Sequence, residues 1–276
     1  MKAQNVDKSV VSGFGDEWER FDQSDLPANE HSELFDLYFS IFPWEMLSNT
    51  SVGFDMGCGS GRWAKLVAPR VGQLHCVDPS SAITVATKNL SAFSNCIFHN
   101  SSVDAFAVAS NSMDFGYSLG VLHHIPNTQS ALNDCVDKLK KGAPFLLYLY
   151  YAFDNKPFWF KIIFKISNII RLGVSKSPHQ IRYILSQILA FIVYLPFARI
   201  SKILEKSGVN VDNIPLSAYR NCSFYTMRTD SLDRFGTRLE QRFTKNEIEQ
   251  MMLNSGLINI KFNKSLPYWC AVGIKK

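Results

Sequence analysis

The six cysteines of this 276-residue sequence stand singly, at 58, 76, 96, 135, 222 and 270, with no Cys-x-x-Cys pair and no histidine at metal-ligand spacing. That pattern excludes a zinc knuckle and a disulfide framework as the organising chemistry, so reduced thiols and no metal site are expected. The first thirty residues carry Asp7, Asp16, Glu17, Asp22 and Asp25 and lack an apolar stretch, so no secretory signal is expected and the chain reads as cytoplasmic. There is no internal repeat, no low-complexity linker and no basic patch interleaved with aromatics, and a nucleic-acid partner is not expected. Charged residues are scarce at 19% beside 46% hydrophobic, which excludes a disordered chain. Acids are scarcest between positions 156 and 206. Nine Lys/Arg face Glu205 alone there, a local +8 that leaves −3 for the rest of a chain whose total is +5.

What is present between 51 and 151 is an alternation of short apolar runs with helical patterns, the sequence form of a parallel sheet with crossover helices. Strands are predicted at 51–56, 73–77, 96–99, 113–118 and 145–150. Helices are predicted at 62–68, from a cap at Ser80 to about Leu90, and at 128–140. The pattern breaks at about 152 and resumes at Thr244-Lys245-Asn246-Glu247, a capping box that opens a helix ending at Gly256. Two closing strands follow, at 258–262 and 269–274. The expected organisation is an N-terminal helical lid segment at 1–50, an α/β core at 51–151, a basic, apolar helical insertion at 152–240, and a C-terminal helix and strand pair at 241–276 that completes the core.

The densest signal is Gly53-Phe54-Asp55-Met56-Gly57-Cys58-Gly59-Ser60-Gly61, which follows a strand and opens a helix. Glycines at 57, 59 and 61 let backbone approach a ligand, and the helix N-terminus offers unpaired N–H groups. Asp78, at the end of the second strand, is placed to accept ribose hydroxyls. Its alternative is a helix-capping carboxylate. The spacing GxGxG, rather than GxGxxG, and Asp55 just ahead of it suit an amino-acid carboxylate and ammonium better than a pyrophosphate. Cys58 reads as a small residue of the turn with no nucleophilic role.

DMGCGSG at 55–61, VDPS at 77–80, SSVDAF at 101–106 and SMDFGYSLGVLHHIPN at 112–127 together resemble the class I S-adenosylmethionine-dependent methyltransferases, and within them the type 11, UbiE-like group. The resemblance covers about 50–150 and the final helix and strand pair. It implies a doubly wound seven-stranded, mostly parallel sheet of Rossmann-like form, here carrying a helical insertion. It implies S-adenosyl-L-methionine as cofactor, with Asp55, Gly57, Cys58 and Gly59 around its methionine part and Asp78 with Pro79 at the ribose. Val103 and Asp104 would flank the adenine, and Leu119, on the turn after the fourth strand, would offer backbone. Asp104 otherwise reads as an N-cap.

Methyl transfer from a sulfonium needs alignment, exclusion of water and, for a protic acceptor, a base. His123 and His124, just beyond the fourth strand, are the candidates for catalysis; structural hydrogen bonding is their alternative role. Tyr150 either walls the acceptor pocket or joins the core. Arg228 either holds an acidic or sugar-like acceptor or pairs with Asp230. Phe14, Trp18 and Phe21 form one helical stripe, so Trp18 either shields the cofactor and substrate or packs on the sheet. The acceptor is read as a small molecule or a lipid-linked compound, with a soluble sugar or polysaccharide precursor, or a non-catalytic cofactor-binding scaffold, as the rivals.

The insertion carries Phe158-Trp159-Phe160 running to Arg171, whose polar stripe is Lys161, Lys165 and Asn168, and a second apolar run at 184–198 interrupted by Ser186, Gln187 and Pro196. Fifteen helical residues span about 22 Å, short of the roughly 30 Å hydrocarbon core, so no transmembrane helix is expected. Apolar helices flanked by lysines suit the surface of an anionic membrane, which would place the chain peripherally on the inner face. A helical lid and a homodimer interface are the other readings.

Overall fold

A computed structural model describes residues 5–276, and groups them as two compact units. Among the described residues the first comprises 5–23, Ser32–Ala152 and Leu239–Lys276; the second comprises Ser24–His31 and Phe153–Arg238. Helix α1 is Lys8–Arg20, its N-terminus capped by the Asp7 carboxylate, which accepts from the N–H groups of Ser9 and Val10. Helix α2 is Ala28–Phe39.

The first unit is built on a seven-stranded sheet. Its elements in chain order are β1 (Val52–Met56), α3 (Ala64–Val67), β2 (Gln73–Val77), α4 (Ala82–Asn89), β3 (Cys96–His99), β4 (Phe115–Leu119), α5 (Thr128–Lys138) and β5 (Pro144–Tyr148). After the second unit's α6 (Phe158–Val174), α7 (His179–Leu189), α8 (Leu195–Lys206) and α9 (Phe224–Gly236) come α10 (Lys245–Asn254), β6 (Leu257–Phe262) and β7 (Ala271–Lys275). The strand order is β3-β2-β1-β4-β5-β7-β6, parallel except for β7, which runs antiparallel to both neighbours. The Rossmann-like fold implied by the sequence is the fold adopted. The direction of winding reverses between β1 and β4, and such a switch point opens a crevice at the strands' C-terminal ends.

Strand side chains alternate between two apolar layers, as a sheet buried on both faces requires. Phe54, Met56, Phe145 and Leu147 join the layer of α5 and α10; Leu74, Cys76, Phe115, Tyr117 and Leu146 join the other, with Phe35 and Phe39 of α2. Close to the switch point, glycine and phenylalanine alternate across two strands. A Cβ on Gly53 would fall 2.3 Å from the Phe115 ring, and one on Gly116 would fall 2.3 Å from the Phe54 ring. The capping box at Thr244 and Glu247 forms as read, each side chain bonding the other's backbone.

Three expectations need correction. The fourth strand runs 115–119 rather than 113–118: Met113 makes only an isolated bridge to Leu139, while Leu119 pairs with Tyr148. Leu119 therefore ends the strand instead of lying in the turn after it. The fifth strand stops at Tyr148 rather than at Tyr150.

The third correction concerns the second unit. The second apolar run, read as fifteen helical residues at 184–198 and too short to span a membrane, lies within one helical run of 28 residues, His179–Lys206, long and apolar enough by length and composition to cross one. A π-helical turn at Ala190–Tyr194 precedes the proline, and such a wider turn accommodates a residue that lacks an N–H and crowds the carbonyl four residues back. Buried arginines hold this unit together. Arg171 donates to the carbonyls of Thr237 and Arg238, and Arg182 to those of Gly236 and Ser177. Glu30 accepts from the Ser223 N–H and the Thr226 hydroxyl at the start of α9.

Candidate functional site

The glycine turn sits at the C-terminal end of β1, on the crevice side of the switch point. The N–H groups of Gly57 and Cys58 both donate to the Val77 carbonyl, at 2.8 and 3.0 Å, and tie the turn to the end of β2. Gly57 and Gly59 have φ of +79° and +53°, a region that disfavours residues with a Cβ. Space adds a second constraint: a Cβ at Gly57 would strike Val121, and one at Gly59 would lie 2.8 Å from Nε1 of Trp18. The Cys58 thiol is buried; a hydrogen bond with Cys76 pulls it down, burial and the Asp78 and Asp55 charges together push it up by more, and it rests at about 11. A thiol held there stays protonated at neutral pH and is no nucleophile.

Asp78 is buried and fully engaged by the protein. It accepts from the Gly59 N–H at 3.0 Å and, through its other oxygen, from the Ser80 N–H and hydroxyl; the Ser80 hydroxyl in turn accepts from Ala82 at the start of α4. Capping is thus relayed through Ser80. Burial raises the Asp78 carboxyl above the usual carboxylate range against those three donors. Pro79 follows it, exposed, in the turn to α4.

Asp55 differs. It is 1% exposed, one carboxylate oxygen has no partner among the described residues, and burial drives its pKa to about 8 despite the Tyr117 hydroxyl beside it and the more distant Arg62 charge. A buried carboxylate oxygen left without a donor is costly unless something else supplies one.

Beyond β3, Val103 is buried in a short 3-10 turn, and the Asp104 carboxylate accepts from the Ser102 hydroxyl at 2.5 Å and from the Asn5 N–H at 3.3 Å. Asn5 also bonds Asn127, so the segment ahead of α1 joins the third and fourth strand loops. Helix α1 then lies against α4, where Gly15 allows the approach to Ser81, and Glu19 accepts from the Ser81 hydroxyl. The Arg62 guanidinium stacks on Trp63 at 4.3 Å and faces the Trp18 ring at 5.7 Å.

The two histidines are buried in the loop after β4, in a cluster of rings. His123 stands 4.0 Å from His124 and 3.9 Å from Tyr150 between ring centroids, and Phe14 of α1 covers His124 at 4.9 Å. Their tautomers follow from their partners. The Leu239 carbonyl can only accept, so Nδ1 of His124, 2.7 Å away, carries the proton and the basic lone pair is on Nε2. The Tyr150 N–H can only donate, at 3.4 Å, so Nδ1 of His123 accepts and its Nε2 carries a proton that has no acceptor among the described residues. Burial, with the neighbouring His124 and Arg242, holds His123 well below the ordinary histidine pKa and hence neutral.

The structure therefore brings Trp18, Asp55, Gly57, Cys58, Gly59, Asp78, Pro79, Val103, Asp104, Leu119, His123, His124 and Tyr150 together in the first unit. Arg228 belongs to the second, where it donates to Gln187 at 2.5 Å and to the Tyr183 hydroxyl at 2.9 Å. Sequence reasoning missed Arg242, which stacks on Tyr150 at 4.9 Å, donates to the Tyr151 carbonyl and pairs with the buried Glu240 at 2.8 Å. Nothing local marks it, since its partner ring is 92 positions away.

This arrangement can be compared with known proteins. The family model described as "Methyltransferase domain" matches residues 54–147. Residues 54–147 are a class I methyltransferase domain. The domain's cofactor is S-adenosylmethionine, and the residues fit it: a glycine cradle that a Cβ would fill, an unsatisfied carboxyl oxygen at Asp55 that a cation would favour ionised, and Asp78 at the strand end. Around the methyltransferase domain, a chain from the complex between the Haloferax volcanii Trm112 methyltransferase activator and its methyltransferase partner superposes with a TM-score of 0.52. It is 12% identical over 94% of this chain and 96% of that one. A Bordetella parapertussis protein described as a possible exported protein gives a TM-score of 0.51, with 13% identity over 93% and 72%. At such identities the likeness is one of fold. No curated protein matches the chain in sequence.

Proposed function

We propose that this S-adenosylmethionine-dependent methyltransferase acts on a small-molecule or lipid-linked acceptor whose reacting atom bears a proton, with His124 as the base. The observation that carries the reading is the hydrogen bond from His124 Nδ1 to the Leu239 carbonyl. It fixes the ring and leaves the lone pair on Nε2, the arrangement by which a second hydrogen bond orients a catalytic imidazole.

When bound, S-adenosylmethionine supplies an electrophilic methyl group on a sulfonium, and transfer needs the acceptor atom in line behind that methyl. Asp55, Gly57, Cys58 and Gly59 would hold its methionine part, Asp78 and Pro79 its ribose, Val103, Asp104 and Leu119 its adenine end. His124 takes the acceptor proton at Nε2. Neutral His123 offers its Nε2–H to an acceptor oxygen and orients it, and Tyr150, braced by Arg242, walls the acceptor. Trp18 closes the glycine turn from water.

The test is transfer of labelled methyl from S-adenosylmethionine to an extract of the source cells, followed by separation into organic and aqueous phases. Label in the organic phase supports a lipid-linked or apolar acceptor. Label in the aqueous phase alone assigns a soluble sugar or metabolite. Absence of transfer while S-adenosylhomocysteine binds would overturn the reading in favour of a cofactor-binding scaffold.

A further inference from the structure

Helix α6 and the 28-residue helix His179–Lys206 both pack on α9, through Arg171 and Val174 of the first and Arg182, Ser186, Ala190 and Tyr194 of the second. Away from α9 each presents an apolar stripe at helical spacing that nothing in the second unit covers. On α6 it includes Phe158, Ile166 and Ile169; on the longer helix it includes Ile188, Ile192 and Ile203. These are large aliphatic and aromatic side chains, and Phe158 and Ile169 are 77% and 70% exposed. Contiguous exposed apolar surface of this extent marks a docking face.

Charge identifies the occupant. The two helices contain a single acid, Glu205, and the Arg220 guanidinium engages it at 2.8 Å. Lys161, Lys165, Lys202 and Lys206 lie on the same helices as the stripes, with Lys176 in the turn between them. A second copy of the chain would bring two such cationic faces together, whereas an anionic lipid surface complements both the apolar stripe and the lysines. The polar composition of α9 fixes the depth. Arg228 of α9 bonds Gln187 and Tyr183 on the other side of the long helix, Arg234 of α9 lies over the Phe164 ring of α6 at 4.4 Å, and a spanning orientation would drag both guanidinium groups into hydrocarbon.

We infer that α6 and the His179–Lys206 helix form a lipid-docking face that lies in the plane of an anionic membrane, apolar stripes among the acyl chains and lysines at the headgroups. The binding is independent of the methyl-transfer chemistry, so its test and that of the proposed function fail separately.

The experiment is flotation of the full chain with phosphatidylcholine vesicles, with and without phosphatidylglycerol. The protein should float with the anionic vesicles and remain at the bottom with the neutral ones, with binding that weakens as salt is raised. Ile169→Glu with Ile203→Glu should abolish flotation, and Lys161→Glu with Lys165→Glu should weaken it about tenfold or more; circular dichroism and S-adenosylhomocysteine binding serve as folding controls. Brominated acyl chains should quench tryptophan emission in the wild type and lose that effect in Trp159→Phe, which reads insertion directly. No flotation with anionic vesicles, equal flotation with both compositions, or flotation unaffected by the isoleucine pair would overturn the inference. So would a salt-stable dimer in sedimentation that fails to bind vesicles.

Discussion

The Trp18 indole and the Cα of Gly59 are fitted so closely that no Cβ can stand between them. A methyl group there would lie 2.8 Å from Nε1. The glycine turn is thus restrained twice, by its own positive φ and by a side chain forty-one positions upstream.

Gly59→Ala should therefore cost about 1–2 kcal/mol from the left-handed conformation alone and more from the displaced ring. The expected outcome is weaker S-adenosylhomocysteine binding by calorimetry and a red-shifted Trp18 emission. In the Gly59→Ala/Trp18→Ala double variant the steric part should disappear, leaving a loss smaller than the sum of the two singles.

His124→Asn should lower kcat by about two to four orders of magnitude while cofactor affinity holds, the range expected for a lost general base. His123→Phe preserves the stack on Tyr150 and removes the Nε2–H along with the long Nδ1 contact to the Tyr150 N–H, so its effect on turnover should fall on acceptor KM. Steady-state label transfer to the assigned acceptor separates the two. Equal kcat in wild type and His124→Asn would exclude the base assignment.

Asp55 makes stability depend on pH in a set direction. Its carboxyl moves from an ordinary 3.8 to about 8 on folding, chiefly through burial. Folding therefore takes up a proton between those values; the stabilising contribution is complete below 3.8 and is lost as the pH rises to about 8. Without cofactor, Asp55→Asn should melt above wild type at any pH beyond 8. A cationic ligand favours the ionised carboxylate, so the wild-type advantage over Asp55→Asn in S-adenosylmethionine affinity should grow with pH, by up to about tenfold per unit below that value. Comparing the two proteins cancels the ligand's own titration.

Arg171→Met should destabilise the second unit, because the carbonyls of Thr237 and Arg238 lose their donor inside the protein. Each stranded carbonyl costs about 1–3 kcal/mol. Thermal unfolding should show a lower transition, and cofactor affinity should move little.

The parts of this fold that the sequence disclosed were those specified locally. The run from Gly53 to Gly61, the strand at 73–77 and the capping box at Thr244 each carry their cause within a few residues. The continuous apolar run at 145–149 did the same for the fifth strand. What stayed hidden depends on distant or compensating geometry. The Leu239 carbonyl that sets the His124 tautomer lies 115 positions on, and Arg242 reaches Tyr150 from the far side of the second unit's sequence. The full length of the helix His179–Lys206 was hidden too, because it carries Pro196 within it and continues through the π-turn just ahead of that proline. The association of 24–31 with 153–238 has no sequence signal at all; it rests on Glu30 meeting the first turn of α9.

The exchanged glycines and phenylalanines of β1 and β4 carry an implication for how this sequence can change. Gly53 makes room for Phe115 on one face of the sheet, and Gly116 makes room for Phe54 on the other, with Gly53 paired to Phe115 and Phe54 to Gly116 in register. A slip by one residue would stack ring on ring and leave glycine opposite glycine, so the pair is keyed like a lock with two wards. A lineage could enlarge either glycine only after trimming the facing ring, and the order of those two steps is forced.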